Sequence, residues 1–338
     1  MKKKSIIVVI TIIILALVGS LVFYKKSRKN LKLEESEETE GITIVPTMSD
    51  KLTNDSSWCG TFQLVWNDLK NEIIKKDIEF NPQLDMVTNL NKEEFNESMI
   101  SDDYYYKIYG PKNLELKEKI EEGIKSKFNQ TSDILNNFDW SDKGLDSQGE
   151  RRYFLYTMLY RKFEFLQEFD KLDNDKFGDK YKNVKYFGID ENSKESLGNQ
   201  INVLYYNSKE DFAVLINTKT DDEVIFCKKP EGSNFNEIYD NMNSKSEKYT
   251  GNKAFEKSDV FKAPNLTFNE RKEYTELEHK EFYTASSINK IEIEGAEQTI
   301  QFSLDENGGK IKSEAGIEVK ELSAPTEDKK RYFYVDDT

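Results

Sequence analysis

An uninterrupted run of uncharged, mostly apolar residues from Ile6 to Phe23 constrains this chain more than any other feature of its sequence. A run of about 18 such residues is long enough to be a candidate membrane-spanning helix. We therefore predict a basic cytoplasmic tail over residues 1–5, a transmembrane signal anchor over 6–24 and an acidic, flexible spacer over 25–52. A single soluble domain is expected over residues 53–338.

A cleaved signal peptide is the alternative interpretation of the same run. Such a peptide has a shorter apolar core and small residues before the cut. Val18-Gly19-Ser20 would serve as a cleavage site, but the apolar residues continue to Tyr24. Because a tail that carries Lys2, Lys3 and Lys4 is hard to translocate, we expect the tail inside and the domain outside the cytoplasm.

Charge is distributed unevenly along the chain. Residues 1–32 hold eight of the 49 Lys and Arg and none of the 63 Asp and Glu. The remaining chain is therefore more acidic than the formal net charge of -14 for the whole sequence indicates. Because phosphate binding needs clustered Lys and Arg, we expect no nucleic-acid partner.

The spacing of apolar residues predicts helices first and strands afterwards. Three- and four-residue steps predict one helix from Ser56 or Ser57 to about Lys75 and another from Leu114 to Asn129. The aromatic and aliphatic residues from Tyr153 to Leu166 indicate a long strand that is buried on both faces. Shorter strands are predicted at Val184–Ile189, Ile201–Tyr206, Phe212–Ile216, Val224–Cys227, Ile288–Ile293 and Thr299–Leu304. This order predicts an α+β domain.

Few residues are suited to catalysis. His279 is the only histidine, which excludes metal sites built from several histidines. Cys59 and His279 are the one candidate thiol-hydrolase pair, but the residues around Cys59 match no pattern of a catalytic cysteine. We therefore predict no enzyme activity, no cofactor and no metal. Cys59 and Cys227 are interpreted as free thiols, and a disulfide between them is left open.

Residues 299–325 alternate in a way that predicts a strand with two different faces. Ile311, Ser313, Ala315, Ile317 and Val319 fall on one face, while Lys310, Lys312, Glu314, Glu318 and Lys320 fall on the other. The first face suits burial and the second suits water. A β-hairpin with Asn307-Gly308 as its two-residue turn is the simplest interpretation.

This segment resembles part of a known family, the serpins. Leu304-Asp305-Glu306-Asn307-Gly308-Gly309 is similar to the serpin hinge, in which a strand ends in an acidic pair, a glycine and small residues. The resemblance extends over about residues 115–335. It includes the helix at Leu116 to Leu135, the strand at Leu159 to Phe165 with Phe169-Asp170 after it, and the runs Val184 to Ile189, Val203 to Ile216 and Ala263 to Phe268.

The resemblance implies a serpin-like α+β fold, with N-terminal helices packed on large mixed or antiparallel sheets. It also implies a mechanism in which a peptidase cuts an exposed loop that then inserts into the central sheet as an extra strand. The implied partner is a target peptidase, and we expect a monomer. The implied hinge and reactive-loop residues are Glu306, Gly308, Gly309, Ile311, Ser313, Ala315, Leu322 and Ser323, with the cut near Leu322-Ser323.

The hinge departs from the serpin pattern in one respect. Serpin hinges that insert fast enough to trap a peptidase carry a run of alanines, whereas this chain has Ile311-Lys312-Ser313-Glu314 there. Slow insertion would make the chain a peptidase substrate and not an inhibitor. The sequence therefore leaves two hypotheses about function open. One is a membrane-anchored serpin-like protein that acts on peptidases or has lost inhibition, and the other is a cell-envelope binding or scaffold domain in which 305–325 is a permanent hairpin.

Overall fold

A computed structural model describes residues 41–53, 55–141, 151–220, 222–283, 285 and 290–322. The predicted tail and anchor, most of the predicted spacer, and Ser323 lie outside these residues. Within the described ranges, no helix is both long enough and apolar enough to cross a membrane. All described residues belong to one compact unit, Ser36–Thr338.

The described residues form four α-helices and fourteen strands. The helices are α1 (Thr61–Asp68, continued by a π-helix over Leu69–Ile74), α2 (Asp85–Leu90), α3 (Leu114–Phe128) and α4 (Phe235–Lys248). The strands are β1 (Thr43–Ile44), β2 (Ser56–Ser57), β3 (Tyr105–Pro111), β4 (Arg151–Glu164), β5 (Asp170–Phe177), β6 (Tyr181–Ile189), β7 (Ile201–Ser208), β8 (Asp211–Asn217), β9 (Glu223–Lys228), β10 (Phe261–Pro264), β11 (Leu266–Glu273), β12 (Glu281–Tyr283), β13 (Lys290–Asp305) and β14 (Gly308–Leu322).

A six-stranded antiparallel sheet, which we call the main sheet, dominates the fold. Its order is β11-β13-β14-β4-β3, and β12 pairs with the first part of β13. Two three-stranded sheets, β10-β6-β5 and β7-β8-β9, accompany it. Helices on a large antiparallel sheet confirm the α+β prediction. The predicted strands Ile288–Ile293 and Thr299–Leu304 are one strand, β13, whose register is irregular between Ile293 and Gly295.

The first helix begins later than predicted. Ser56 and Ser57 do not cap it, because they form β2 and pair in parallel with Thr43 and Ile44. Gly60 is the N-cap residue instead. The preceding chain is also more ordered than a solvated spacer, since Ile44 and other apolar residues of 41–53 are buried. The folded part of the chain therefore starts before residue 53.

Helix α3 is confirmed almost to the residue. The side chain of Asn113 caps it by accepting a hydrogen bond of 2.8 Å from the backbone N–H of Leu116. Asn129 ends it in the left-handed conformation. The stripe of Leu116, Ile120 and Ile124 is buried against β4, and the chain that follows the helix closes over the same face of the sheet.

Candidate functional site

Strand β14, which contains most of the residues for which the serpin resemblance implies a hinge or reactive-loop role, lies in the centre of the main sheet. It pairs with β13 from Gly308 to Glu321 and with β4 over the same residues. Both edges of the strand are therefore hydrogen-bonded along almost its whole length. Leu322 is its last residue.

The turn into β14 differs by one residue from the predicted one. Glu306 and Asn307 form the turn, whereas Gly308 already pairs with Asp305 and with Glu164. Backbone N–H groups hold the turn in place: Phe169 donates to the carbonyl of Glu306 and Phe165 to that of Asn307, each at 2.9 Å. The Glu306 side chain is buried at the turn and lies 3.3 Å from the Lys171 ammonium.

One face of β14 packs on α1, and its middle is polar. The Ser313 hydroxyl donates to the Thr299 carbonyl at 2.7 Å, so its contact of 2.7 Å with the Thr61 hydroxyl is one in which Thr61 donates. The Gln298 amide donates to Thr61 at 2.9 Å and accepts from the Tyr274 hydroxyl at 2.8 Å. Because all these side chains are buried, this chain of hydrogen bonds fixes the register of β14 against α1.

The rest of the same face is apolar. Ala315, Ile317 and Val319 are fully buried and belong to a core cluster with Phe62 of α1 and Leu155 of β4. Ile311, nearer the turn, is half-buried. The small residues Ser313 and Ala315 leave room for α1 to approach the sheet closely, whereas Gly309 leaves room for the Phe163 ring. The alternation predicted for this face therefore corresponds to a packed face in the structure.

The opposite face was predicted to meet water, and this prediction is wrong. Lys312, Glu314 and Glu318 are all buried, because α3 and the residues after it cover this face of the main sheet. We call residues 131–140, which cross directly over β14, the covering segment. The error has a physical cause: a strand pattern shows which residues share a face, but it does not show what packs against that face.

Glu314 is the most enclosed charged residue on the covered face. Its carboxylate accepts hydrogen bonds from the Ser132 hydroxyl at 2.5 Å, the Asp133 backbone N–H at 2.9 Å and the Tyr156 hydroxyl at 2.7 Å. The Lys312 ammonium lies 3.2 Å from it and also contacts Asp133. Burial raises the pKa of Glu314, although these donors and Lys312 oppose that effect.

Glu318 forms a second buried ion pair, with Lys112, which lies between β3 and α3. The side chain of Lys112 is only 1% exposed, and its ammonium lies 5.9 Å from the centre of the Trp140 ring. Burial raises the pKa of Glu318 to about 7, and the neighbouring Glu294 carboxylate adds to this rise while Lys112 opposes it. Arg152 lies 3.4 Å from the other side of Glu294.

The partners of these charges were missed by the sequence interpretation. Ser132, Tyr156 and Lys112 come from segments that lie far from β14 along the chain. One signal was available, because Lys312, Glu314 and Glu318 all fall on one face of a strand whose opposite face is uncharged from Gly309 to Val319. Charges that recur on one face of a central strand need partners if that face is covered.

Gly308, the first residue of β14, has a conformation that favours glycine, and this leads to a prediction. Its φ is 145°, and an added Cβ would overlap the Phe163 carbonyl oxygen. Gly308→Ala should therefore lower the free energy of unfolding by about 1–3 kcal/mol, measured by urea denaturation. Gly110→Ala is the control, because its added Cβ would find its nearest neighbour, a Leu116 methyl carbon, at 3.6 Å. Equal losses in both variants would contradict this explanation.

The two cysteines are both free thiols, and the cysteine-hydrolase hypothesis gains no support. Cys59 is fully buried, and burial raises the pKa of its thiol to about 11, which disfavours the nucleophilic thiolate. His279 is exposed, and its ring bonds to Glu292 at 2.7 Å. Within the described ranges, no group of three or more His, Cys, Asp or Glu side chains is arranged to hold a metal ion.

The same burial predicts a difference in thiol reactivity. Cys227 is half-buried with its sulfur 3.3 Å from the Tyr205 hydroxyl. A short exposure to iodoacetamide at about pH 8 should label Cys227 at least about 100-fold faster than Cys59. The reagent can reach the buried Cys59 thiol only in molecules whose domain has transiently opened. Mass spectrometry of the labelled peptides measures both rates. Both thiols should react alike in urea, and equal labelling of the folded chain would contradict the burial of Cys59.

Comparisons with known proteins find a remote structural similarity. Cleaved kallistatin complexed with heparin matches with a TM-score of 0.42 and 15% identity, over 61% of this chain and 62% of that one. The cleaved viral serpin CrmA matches with a TM-score of 0.42 and 8% identity, over 64% of this chain and 82% of that one. Ovalbumin from emu (Dromaius novaehollandiae) matches with a TM-score of 0.38 and 11% identity, over 70% of each chain.

The similarity is confined to the general fold. The match leaves more than a third of the kallistatin chain without a counterpart here. No protein-family model and no curated protein matches the sequence. The chain is remotely similar to several serpin structures, and serpins are the family that its hinge residues resemble.

Proposed function

We propose that this chain is a serpin-like protein that reacts with a target peptidase, and that residues 308–322 are its mobile reactive segment. The position of β14 supports this proposal more than any other observation. It lies between β13 and β4, two long strands, and a turn of only two residues joins it to β13. Such a strand can be withdrawn or added as a unit, with the turn acting as the hinge.

The sequence comparison with the serpin hinge puts the cut near Leu322-Ser323. Within the described residues, β14 pairs with both neighbours as far as Glu321, which agrees with an inserting segment that reaches at least this residue. A peptidase that cuts after Leu322 would leave the full length of β14 free to insert. We therefore propose Leu322-Ser323 as the reactive bond, and a peptidase that accepts a large aliphatic residue before the cut as the target.

Insertion of β14 into the main sheet would provide the free energy that drives trapping of the peptidase. It would pair the backbone of β14 on both edges and bury Ala315, Ile317 and Val319 against α1. Full burial of Ile317 and Val319 contributes about 1.5–3 kcal/mol each, and the Ala315 methyl adds less. The cut chain should therefore be much more stable than an uncut chain with its loop outside the sheet. This difference is the energy that strand addition would use to trap a peptidase.

The location of the protein is part of the same proposal. We propose that residues 6–24 anchor the chain in a membrane and that the folded domain lies outside the cytoplasm. The support is the uncharged run with Lys on both sides. Outside the cytoplasm, the domain would encounter secreted or surface peptidases.

The test is incubation of the full-length chain with trypsin-like, chymotrypsin-like and cysteine peptidases. We expect a complex that survives SDS, or a single cut at Leu322-Ser323 that raises the melting temperature. Ser313→Arg should abolish the complex while leaving the cut, because a charged side chain cannot pack on α1. Ser208→Arg, at the exposed end of β7, is the matched control. Cleavage that neither traps the peptidase nor raises the melting temperature would overturn the proposal.

One observation favours the second function, a cell-envelope binding or scaffold domain without inhibitory activity. β14 is in place in the uncut chain, and its buried charges already have partners. A strand of this kind can be permanent. In that case residues 305–322 should resist all three peptidases, and a complex or a cut near Leu322 would exclude this alternative.

A further inference from the structure

The buried charges on the covered face of β14 are two acids, Glu314 and Glu318, and one base, Lys312. Around Glu314, two carboxylates, Glu314 and Asp133, share the single ammonium of Lys312. The second group lies around Glu318, where Glu294 brings another carboxylate from β13, and Lys112 and Arg152 supply the cations. Asp139 on the covering segment is attracted to the same two cations but is exposed to water, as is Asp133. Glu297 of β13, opposite Gly316, is a further buried carboxylate on this face and pairs with Arg271. Docking of β14 therefore removes Glu314 and Glu318 from water next to other carboxylates, and their cations offset this cost only in part.

Two of these carboxylates and one cation belong to β14 itself. Glu314, Glu318 and Lys312 move with the strand, whereas Asp133, Asp139, Glu294, Lys112 and Arg152 stay with the covering segment, the residues before α3 and the flanking strands. A withdrawn β14 would carry both glutamates into water, where their carboxyl groups titrate normally. Docking the strand brings Glu318 beside Glu294 and moves Glu314 into full burial. A proton on either glutamate removes part of the repulsion and of the desolvation cost.

We propose that docking of β14 in the main sheet is coupled to proton uptake by Glu314 and Glu318, so that mildly acidic conditions favour the inserted strand. This inference rests on the proposed mobility of β14 and adds a form of regulation to it. The covering segment and Lys112 make docking depend on pH, because they enclose the carboxyl groups of these two glutamates and exclude water from them.

The direction of the effect follows from the protonation equilibria. The pKa of Glu318 rises from 4.5 to about 7 when the strand is docked. The docked state therefore binds more protons between these two values, and lowering the pH across this window favours it. For Glu318 alone, a change from about pH 7.5 to about pH 5.5 should shift the docking equilibrium about 20-fold towards the inserted strand. The effect should level off below the lower value, where both states are protonated.

The test is hydrogen–deuterium exchange of the full-length chain at these two pH values, with rates corrected for intrinsic exchange. Protection of the amides in 308–322 is divided by protection of the amides in β7, β8 and β9, which serve as an internal reference. In the wild type, this ratio should be about 20-fold higher at the lower pH. Glu318→Gln, which resembles the protonated side chain, should remove most of this dependence. Glu314→Gln should reduce the remainder.

Glu122→Gln, on the exposed face of α3, is the matched control and should behave as the wild type. A ratio that does not change with pH in the wild type, or that changes equally in Glu318→Gln, would overturn the inference. A strand that exchanges only together with β7, β8 and β9 would overturn it as well. Failure of the proposed function is recognised separately, because peptidase trapping and the stability gain are measured at a single pH.

Discussion

Glu314→Ala is expected to lower the free energy of unfolding by about 3–5 kcal/mol, measured by urea denaturation at about pH 7.5. The substitution removes the acceptor of the Ser132 and Tyr156 hydroxyls and the Asp133 backbone N–H. It also leaves Lys312, which is only 6% exposed, with Asp133 as its one remaining carboxylate among these groups. Buried donors without an acceptor account for most of the cost.

Two controls separate this cause from a general loss of packing. Glu314→Gln keeps the shape and one acceptor oxygen, so its loss should be well below that of the alanine variant. Glu122→Ala, on the exposed face of α3, should change stability by no more than about 0.5 kcal/mol. If Glu314→Ala loses no more than Glu122→Ala, the covering segment does not hold β14 through this carboxylate.

Lys112→Met is expected to have the second large effect, a loss of about 3–5 kcal/mol at about pH 7.5. The variant leaves the Glu318 carboxylate buried beside Glu294 without its cation. Because burial already raises the pKa of Glu318 to about 7, this group should take up a proton as the pH falls. The loss should therefore shrink at about pH 5.5. Urea denaturation at the two pH values measures both quantities.

The double variant Lys112→Met with Glu318→Leu provides the control for this explanation. Replacing both members of a buried ion pair by apolar residues of similar size is often neutral or stabilising. We expect the double variant to recover most of the lost stability and to lose the extra pH dependence. A double variant as unstable as Lys112→Met would show that packing around Lys112, and not charge, causes the loss.

The buried charges also bear on whether a mobile β14 would trap a peptidase. Lys312 and Glu314 lie within the first few residues after the turn, where insertion would have to begin. Each must lose water before it reaches its partners on the covering segment. Under the proposed function this step slows insertion, which favours substrate behaviour over inhibition at neutral pH. Lower pH should shift the balance towards trapping.

Two elements show how much of the fold the sequence could predict. Helix α3 was located to within a residue, because its apolar stripe, its Asn113 cap and its Asn129 end are all local signals. β4 was located to within two residues at each end from one continuous apolar run. The start of α1 was missed, because Ser56 and Ser57 look like helix caps until Thr43 and Ile44 pair with them. That pairing depends on residues outside the local pattern.

The properties of the candidate site can likewise be separated into those that follow from local sequence and those that depend on tertiary structure. The sequence by itself determined that β14 is a strand, which residues share each of its faces, and that Gly309, Ser313 and Ala315 make one face small enough to pack closely. These properties follow from the two-residue period of a strand and from side-chain volume. Only the tertiary structure decided that the charged face is buried too, because Ser132, Tyr156 and Lys112 reach β14 through the fold and not through the chain.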